Sequence, residues 1–173
     1  MSLVPAALLS QVPQPLHSLV KNYWLDWCLS CEKESIEPSS DINLSALGYV
    51  WACSDFVARN CTRHPPVFYQ LQAEGFNSSR SLEDYQERVT RVVTSAGDET
   101  QLMKALRELR QKEMLRIAWR DLNALADDET VLHELSDFAE AIVATTICYL
   151  EKQQAEINGM PRDASGEELA LLT

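Results

Sequence analysis

The sequence has 173 residues, 46% of them hydrophobic, and a formal net charge of −11. That length suits one domain or slightly more, with enough apolar material for a packed core. The acidic excess argues against nucleic acid and against an anionic membrane surface, both of which select for clustered Lys and Arg.

Residues 1–14 carry Pro5 and Pro13 and few strong signals, so they read as a loose or partly helical lead-in. From Pro15 to about Glu34, Leu16, Leu19, Val20, Tyr23, Trp24, Trp27, Cys28 and Cys31 recur at three- and four-residue steps, the spacing of a helix. Pro15 suits a first turn, and Glu37-Pro38-Ser39-Ser40 breaks the pattern. Asp41 is a candidate cap for a second helix through Leu44, Leu47, Val50, Trp51, Ser54 and Val57 or Ala58, with Asp55 and Arg59 spaced for an ion pair. His64-Pro65-Pro66 stops it. A short helix over 66–73 closes at Gly75.

Ser81-Leu82-Glu83-Asp84 has the form of a capping box, with Asp84 in the usual Glu place. Its helix carries Leu82, Tyr85, Val89, Val92, Val93 and Ala96 and stops at Gly97. Asp98 and Gln101 then open a long helix of about 28 residues, and Ala126-Asp127-Asp128 links it tightly to a last helix over 129–157. Leu132, Leu135, Ala139, Ile142 or Val143, Thr146 or Ile147, and Leu150 form the apolar stripe of that last helix. So short a link predicts an antiparallel hairpin. Leu169-Ala170-Leu171-Leu172-Thr173 reads as the start of a strand; no other segment shows strand alternation. The predicted fold is all-α, a bundle of five to six helices ending in a long hairpin, then the first residues of a truncated sheet. Residues 1–40 form a lead-in and first helix, 41–160 the bundle, and 161–173 a linker.

The long helix carries a conflict. Leu102, Leu106, Leu109, Ile117 and Ala124 lie on one stripe, yet Glu113 and Arg120 fall on it too, with Arg110 and Asp121 bordering one side and Arg116 the other. A buried charge must be paired or it costs several kcal/mol. Glu113 can pair with Arg110 and Arg116 at three-residue steps, whereas Arg116 and Arg120 repel. Carboxylates of neighbouring helices such as Asp55, Asp137 or Glu140 are candidate partners; otherwise these residues face a further domain, or a phosphate-bearing ligand held there.

Other chemistry is sparse. Cys28-x-x-Cys31 and Cys61-x-x-His64, near Cys53, have two-residue spacers like those of zinc ligands. Cys28 and Cys31 sit in strong helical pattern beside two Trp residues, and buried cysteine is an ordinary small core residue. His17, His64 and His133 lack a nucleophile or carboxylate constellation. There is no Gly-rich phosphate loop, no Gly-x-Ser-x-Gly and no Asp-x-Asp. Five cysteines without a secretory signal point to reduced thiols and the cytoplasm. No apolar run approaches the roughly 18 residues that a membrane span needs.

Residues 106–122, LRELRQKEMLRIAWRDL, resemble the helical N-terminal part of the bifunctional glutamine synthetase adenylyltransferase/adenylyl-removing family. Ser54-Asp55-Phe56-Val57-Ala58, His64-Pro65, and Leu132-x-x-Leu135-Ser136-x-x-Ala139-Glu140 look like that family as well. The resemblance spans roughly 44–150. It implies the helical lead-in to the domain that removes AMP from a glutamine synthetase tyrosine by phosphorolysis, with a second domain adding AMP from ATP. It further implies Mg²⁺ and ATP, ADP or phosphate for the full-length enzyme, and glutamine synthetase and PII signalling protein as partners. The family's glycine-rich stretch and paired Asp residues do not occur here, so the resemblance implies no catalytic, cofactor-binding or metal residue in this chain and no activity for it alone. The alternative is a free-standing helical protein–protein interaction module.

Overall fold

A computed structural model describes residues 3–37, 42–76 and 78–169. These residues form seven α-helices and no sheet: α1 His17–Lys33, α2 Leu44–Cys53, α3 Asp55–Arg63, α4 Pro65–Glu74, α5 Leu82–Ser95, α6 Glu99–Leu122 and α7 Asp128–Asn158. The all-α expectation holds. None of these helices is long and apolar enough to cross a membrane. The expected strand over 169–173 lies outside the described residues beyond Leu169; one isolated bridge joins Arg162 and Glu168.

The chain divides into two compact units, one of Met1–Ser78 with Gln111–Asp128 and one of Ser79–Arg110 with Glu129–Thr173. The division runs through α6 and cuts across the 41–160 bundle read from the sequence. In the first unit the core gathers Leu8, Val20, Trp27, Leu47, Trp51, Val57, Phe68 and Leu115. Its centre is aromatic: Trp27 lies 5.7 Å from Trp51 and 5.2 Å from Phe68, and Phe68 lies 5.3 Å from Trp119. Such tilted and edge-on ring pairs add about 0.5–1.5 kcal/mol each beyond their buried area.

The lead-in is ordered. A 3-10 turn at Ala6–Leu9 seats Leu8, fully buried, against α2. A Cβ on Gly48 would stand 1.7 Å from the Leu8 carbonyl oxygen, so only glycine allows this approach.

Three boundaries differ from the sequence reading. The single helix expected before His64 is two, because Ser54 takes an extended backbone (φ −141°, ψ 107°) and its hydroxyl accepts from the Val57 N–H, capping α3. The cap of α2 is Asn43, whose side chain accepts from the Ala46 N–H at 3.1 Å; Asp41 lies outside the described residues. Helix α6 is 24 residues long rather than about 28. It ends before Ala124, which has φ 51°. The Leu125 N–H there bonds the Arg120 carbonyl and the Ala124 N–H the Asp121 carbonyl. That is the left-handed C-terminal closure usually made by glycine.

In the second unit Tyr85, Val89 and Val93 of α5 pack with Leu102 of α6 and with Phe138 and Ala141 of α7. Ser81 and Asp84 complete the expected capping box. Asp98, Glu99 and Leu102, at the start of α6, line one opening with Tyr149, Leu150 and Gln154, late in α7. The two helices run antiparallel here, as the short link predicts. Helix α7 buries a face rotated from the stripe read for it: Ile142 packs against this cluster, and Leu135 and Thr146 are half-buried. Glu134, Phe138 and Ala141 are buried, whereas Leu132, Val143, Ile147 and Leu150 are exposed. The buried set includes a carboxylate, which a count of apolar periodicity passes over.

Candidate functional site: a buried ionic cluster on α6

The last three turns of α6 are enclosed by the first unit's core, with Leu115, Ile117 and Trp119 all buried. Charges on those turns are therefore drawn inside. Glu113 and Arg116 are 0% exposed and Arg120 is 3% exposed. Arg110 and Asp121, read from the sequence as part of the same stripe, lie at the surface.

Two of the three buried groups pair with each other, and both arginines reach the backbone. Arg116 Nε meets Glu113 Oε2 at 3.0 Å, one helical turn back. Arg116 Nη1 and Arg120 Nη1 both donate to the Ser78 carbonyl, at 3.1 and 3.2 Å. Two guanidinium groups thus close on one peptide oxygen just before α5. Charge-assisted bonds of this kind are about twice as strong as neutral ones, and they repay the desolvation only when geometry is good. Around them, Gln111 donates to Asn60 Oδ1, and Lys112 Nζ meets Glu74 Oε1 at 2.6 Å. Of the candidate carboxylate partners, Asp55 lies elsewhere: it accepts from the Tyr23 hydroxyl and pairs with Arg59 at 2.7 Å on the surface. The Tyr23 hydrogen bond first, then Arg59, holds the Asp55 carboxyl below the usual range.

The second unit has two buried charged residues that the sequence reading missed. Glu134 is 2% and Arg80 8% exposed, and the Arg80 backbone N–H donates to Glu134 Oε1 at 2.8 Å. Neither position breaks an apolar stripe in the way Glu113 does. Ser78 acts through its carbonyl, which leaves no trace in residue type.

Chemically this cluster holds rather than reacts. Guanidinium groups only donate hydrogen bonds, and here they donate to a carboxylate and a peptide carbonyl. The remaining candidates are dispersed. Burial pushes the Cys31 thiol up to about 11 and the Cys61 thiol up to about 12, far from a reactive thiolate. All five cysteines are free. His17 Nε2 lies 2.8 Å from the Val12 carbonyl, and His133 is exposed near Glu129. Among the described residues no three His, Cys, Asp or Glu side chains come together as a metal site. An opening of about 740 Å³ along α1 and α3 is lined by Tyr23, Asp26, Lys33, Arg59 and Arg63 without a base and nucleophile in register.

The comparisons with known proteins agree on one family. Residues 44–173 match the family model described as glutamate-ammonia ligase adenylyltransferase. Three relatives carry the name bifunctional glutamine synthetase adenylyltransferase/adenylyl-removing enzyme. The one from Thioalkalivibrio sulfidiphilus is 36% identical over 99% of this chain and 18% of its own length. The one from Nitrosococcus oceani is 40% identical over 68% of this chain and 12% of its own, and that from Shewanella loihica 32% over 71% and 13%. The chain thus spans under a fifth of the length of these relatives. It belongs to the glutamate-ammonia ligase adenylyltransferase family.

Proposed function

We propose that this chain serves as the N-terminal helical part of the adenylyl-removing half of an enzyme that adenylylates and deadenylylates glutamine synthetase, and so regulates nitrogen assimilation. The observation that carries the reading is the 36% identity along 99% of the chain against 18% of the relative. The family-model match over residues 44–173 supports it. In this reading Mg²⁺, ATP, ADP and phosphate act at the enzyme's catalytic part, PII protein is a signalling partner, and the setting is the cytoplasm, in keeping with five free thiols. Glu113, Arg116 and Arg120 hold the scaffold, while the exposed Arg110 and Asp121 face the catalytic domain.

The test is direct. The purified chain, given adenylylated glutamine synthetase, phosphate and Mg²⁺, should release no ADP above the no-protein control. A longer polypeptide carrying this chain and a Gly-rich, Asp-x-Asp-bearing domain should do so. Turnover by the chain alone overturns the assignment.

A further inference from the structure

Helix α7 carries two parallel rows that the fold leaves uncovered. Leu132, Val143, Leu150 and Ile157 are 63%, 57%, 39% and 75% exposed. At 100° per residue they fall within about 40° of one another. From Leu132 to Ile157 the row runs for roughly 37 Å at 1.5 Å per residue. Scattered exposed leucines are normal, but a continuous apolar row marks a contact surface. The helix's buried face, with Phe138 and Ala141, lies on another side.

The second row is acidic. Glu129, Glu140 and Glu151 are spaced by eleven residues, close to three whole turns, and so stack along one flank of the apolar row. Glu129 is 86% exposed and Glu140 is exposed. Glu151 sits at the edge of an apolar groove of about 570 Å³ formed with Ile147, Leu150, Met160 and Pro161. Its Oε2 is shielded from water without a hydrogen-bond partner. Over its 31 residues α7 holds seven Asp and Glu and one Lys.

We propose that this face of α7 is the docking surface for a basic amphipathic helix of a partner protein. Its apolar side chains lie along Leu132 to Ile157, and a row of Lys or Arg answers Glu129, Glu140 and Glu151. Helix-in-groove recognition uses this combination, with the apolar row supplying affinity and the charged row orientation. A second copy of this chain is a poor occupant, since it would bring acidic rows together between chains each of net charge −11. The inference goes beyond the proposed role in glutamine synthetase regulation and stands on the α7 surface alone.

Two designed 25-residue helical peptides test it. Both carry one Leu row; one is flanked by Lys and the other by Glu. Fluorescence anisotropy against the whole chain should show 1:1 binding of the Lys peptide at least ten-fold tighter than the Glu peptide, weakening as salt rises. Glu129→Gln with Glu140→Gln, both at exposed positions, should weaken the Lys peptide about ten-fold with an unchanged melting curve. Val143→Glu with Leu150→Glu should abolish binding while the circular dichroism stays helical. Equal affinity for the two peptides, no binding of either, or self-association that Val143→Glu with Leu150→Glu abolishes would each overturn the proposal. So would loss of binding in a longer polypeptide carrying this chain, since the occupant would then be intramolecular. None of these readouts involves AMP removal, so failure here and failure of the enzymatic assignment are told apart.

Discussion

At the scale of single residues, Glu113 and Arg116 set the terms. Both are completely enclosed, and each is the other's charge partner at 3.0 Å. Removing either takes a charge-assisted contact from a fully enclosed ion, which typically costs 3–5 kcal/mol. Glu113→Ala should therefore lower unfolding free energy by about 3–5 kcal/mol in urea titration. Arg110→Ala, at an exposed position of the same helix, should change it by less than about 0.5 kcal/mol. Equal effects would remove the distinction between the buried and surface members of the stripe. The conflict itself was legible in the sequence, because Glu113 and Arg120 interrupt an apolar period. Which stripe members are buried was not, since α6 changes neighbours along its length while its period stays constant. Arg80 and Glu134 gave no signal, because each sits where a charge would ordinarily be solvated.

At the scale of elements, caps and close approaches fix the boundaries. Ser81 accepts from the Asp84 N–H, and the Ser81 N–H donates to Asp84 Oδ2 at 2.9 Å. That backbone hydrogen bond is the chief cause holding the Asp84 carboxyl below the ordinary range. A carboxyl depressed on folding contributes stability above its unfolded value, near 3.9, and loses it as pH falls through the lower folded value. Thermal melts of Asp84→Asn and the parent chain should therefore differ most at neutral pH and converge as pH drops below about 4. A gap that persists at pH 2 would assign the effect to something other than the ionised cap.

Glycine 48 tests the opposite expectation to the usual one. An exposed mid-helix Gly→Ala change ordinarily stabilises by about 0.5–1 kcal/mol. Here the new Cβ would meet backbone 1.7 Å away, so Gly48→Ala should destabilise by about 2–3 kcal/mol, as overpacked sites do; a raised melting temperature would refute the contact. The capping box and the helix hairpin were legible because each rests on local chemistry and link length. The split at Ser54 was missed because the apolar period continues across it, and the buried face of α7 because Glu134 belongs to it. The reversal after α6 carries no glycine, so Ala124 at φ 51° gave no warning.

At the scale of the whole molecule, an all-helical chain was readable from composition and periodicity, and the family from residues 106–122. The division into two compact units was not, because it falls inside α6, where the helix signal is unbroken. The site shows the same limit. Residue types revealed the charges, but a carbonyl at Ser78 gathers two of them, and backbone acceptors have no spelling in the sequence. Net charge acts at this scale too. With −11 on 173 residues, surface repulsion opposes compaction and is screened by salt. The melting temperature should rise modestly between 20 and 200 mM NaCl, an increment that neutralising Glu129 and Glu140 should shrink. An unchanged or falling melting temperature would show that surface repulsion is not limiting.

The seat of Leu8 has a practical consequence. A residue enclosed on every side, with its carbonyl resting on a helix that lacks a side chain at the point of touch, is a stopper and not a tail. Trimming the front of the gene to begin at the first long helix would unplug the aromatic interior and leave a leucine-sized hole with bare helix backbone at its rim. Shortened versions meant for biochemistry should keep their opening dozen residues, and affinity handles belong ahead of them on a spacer.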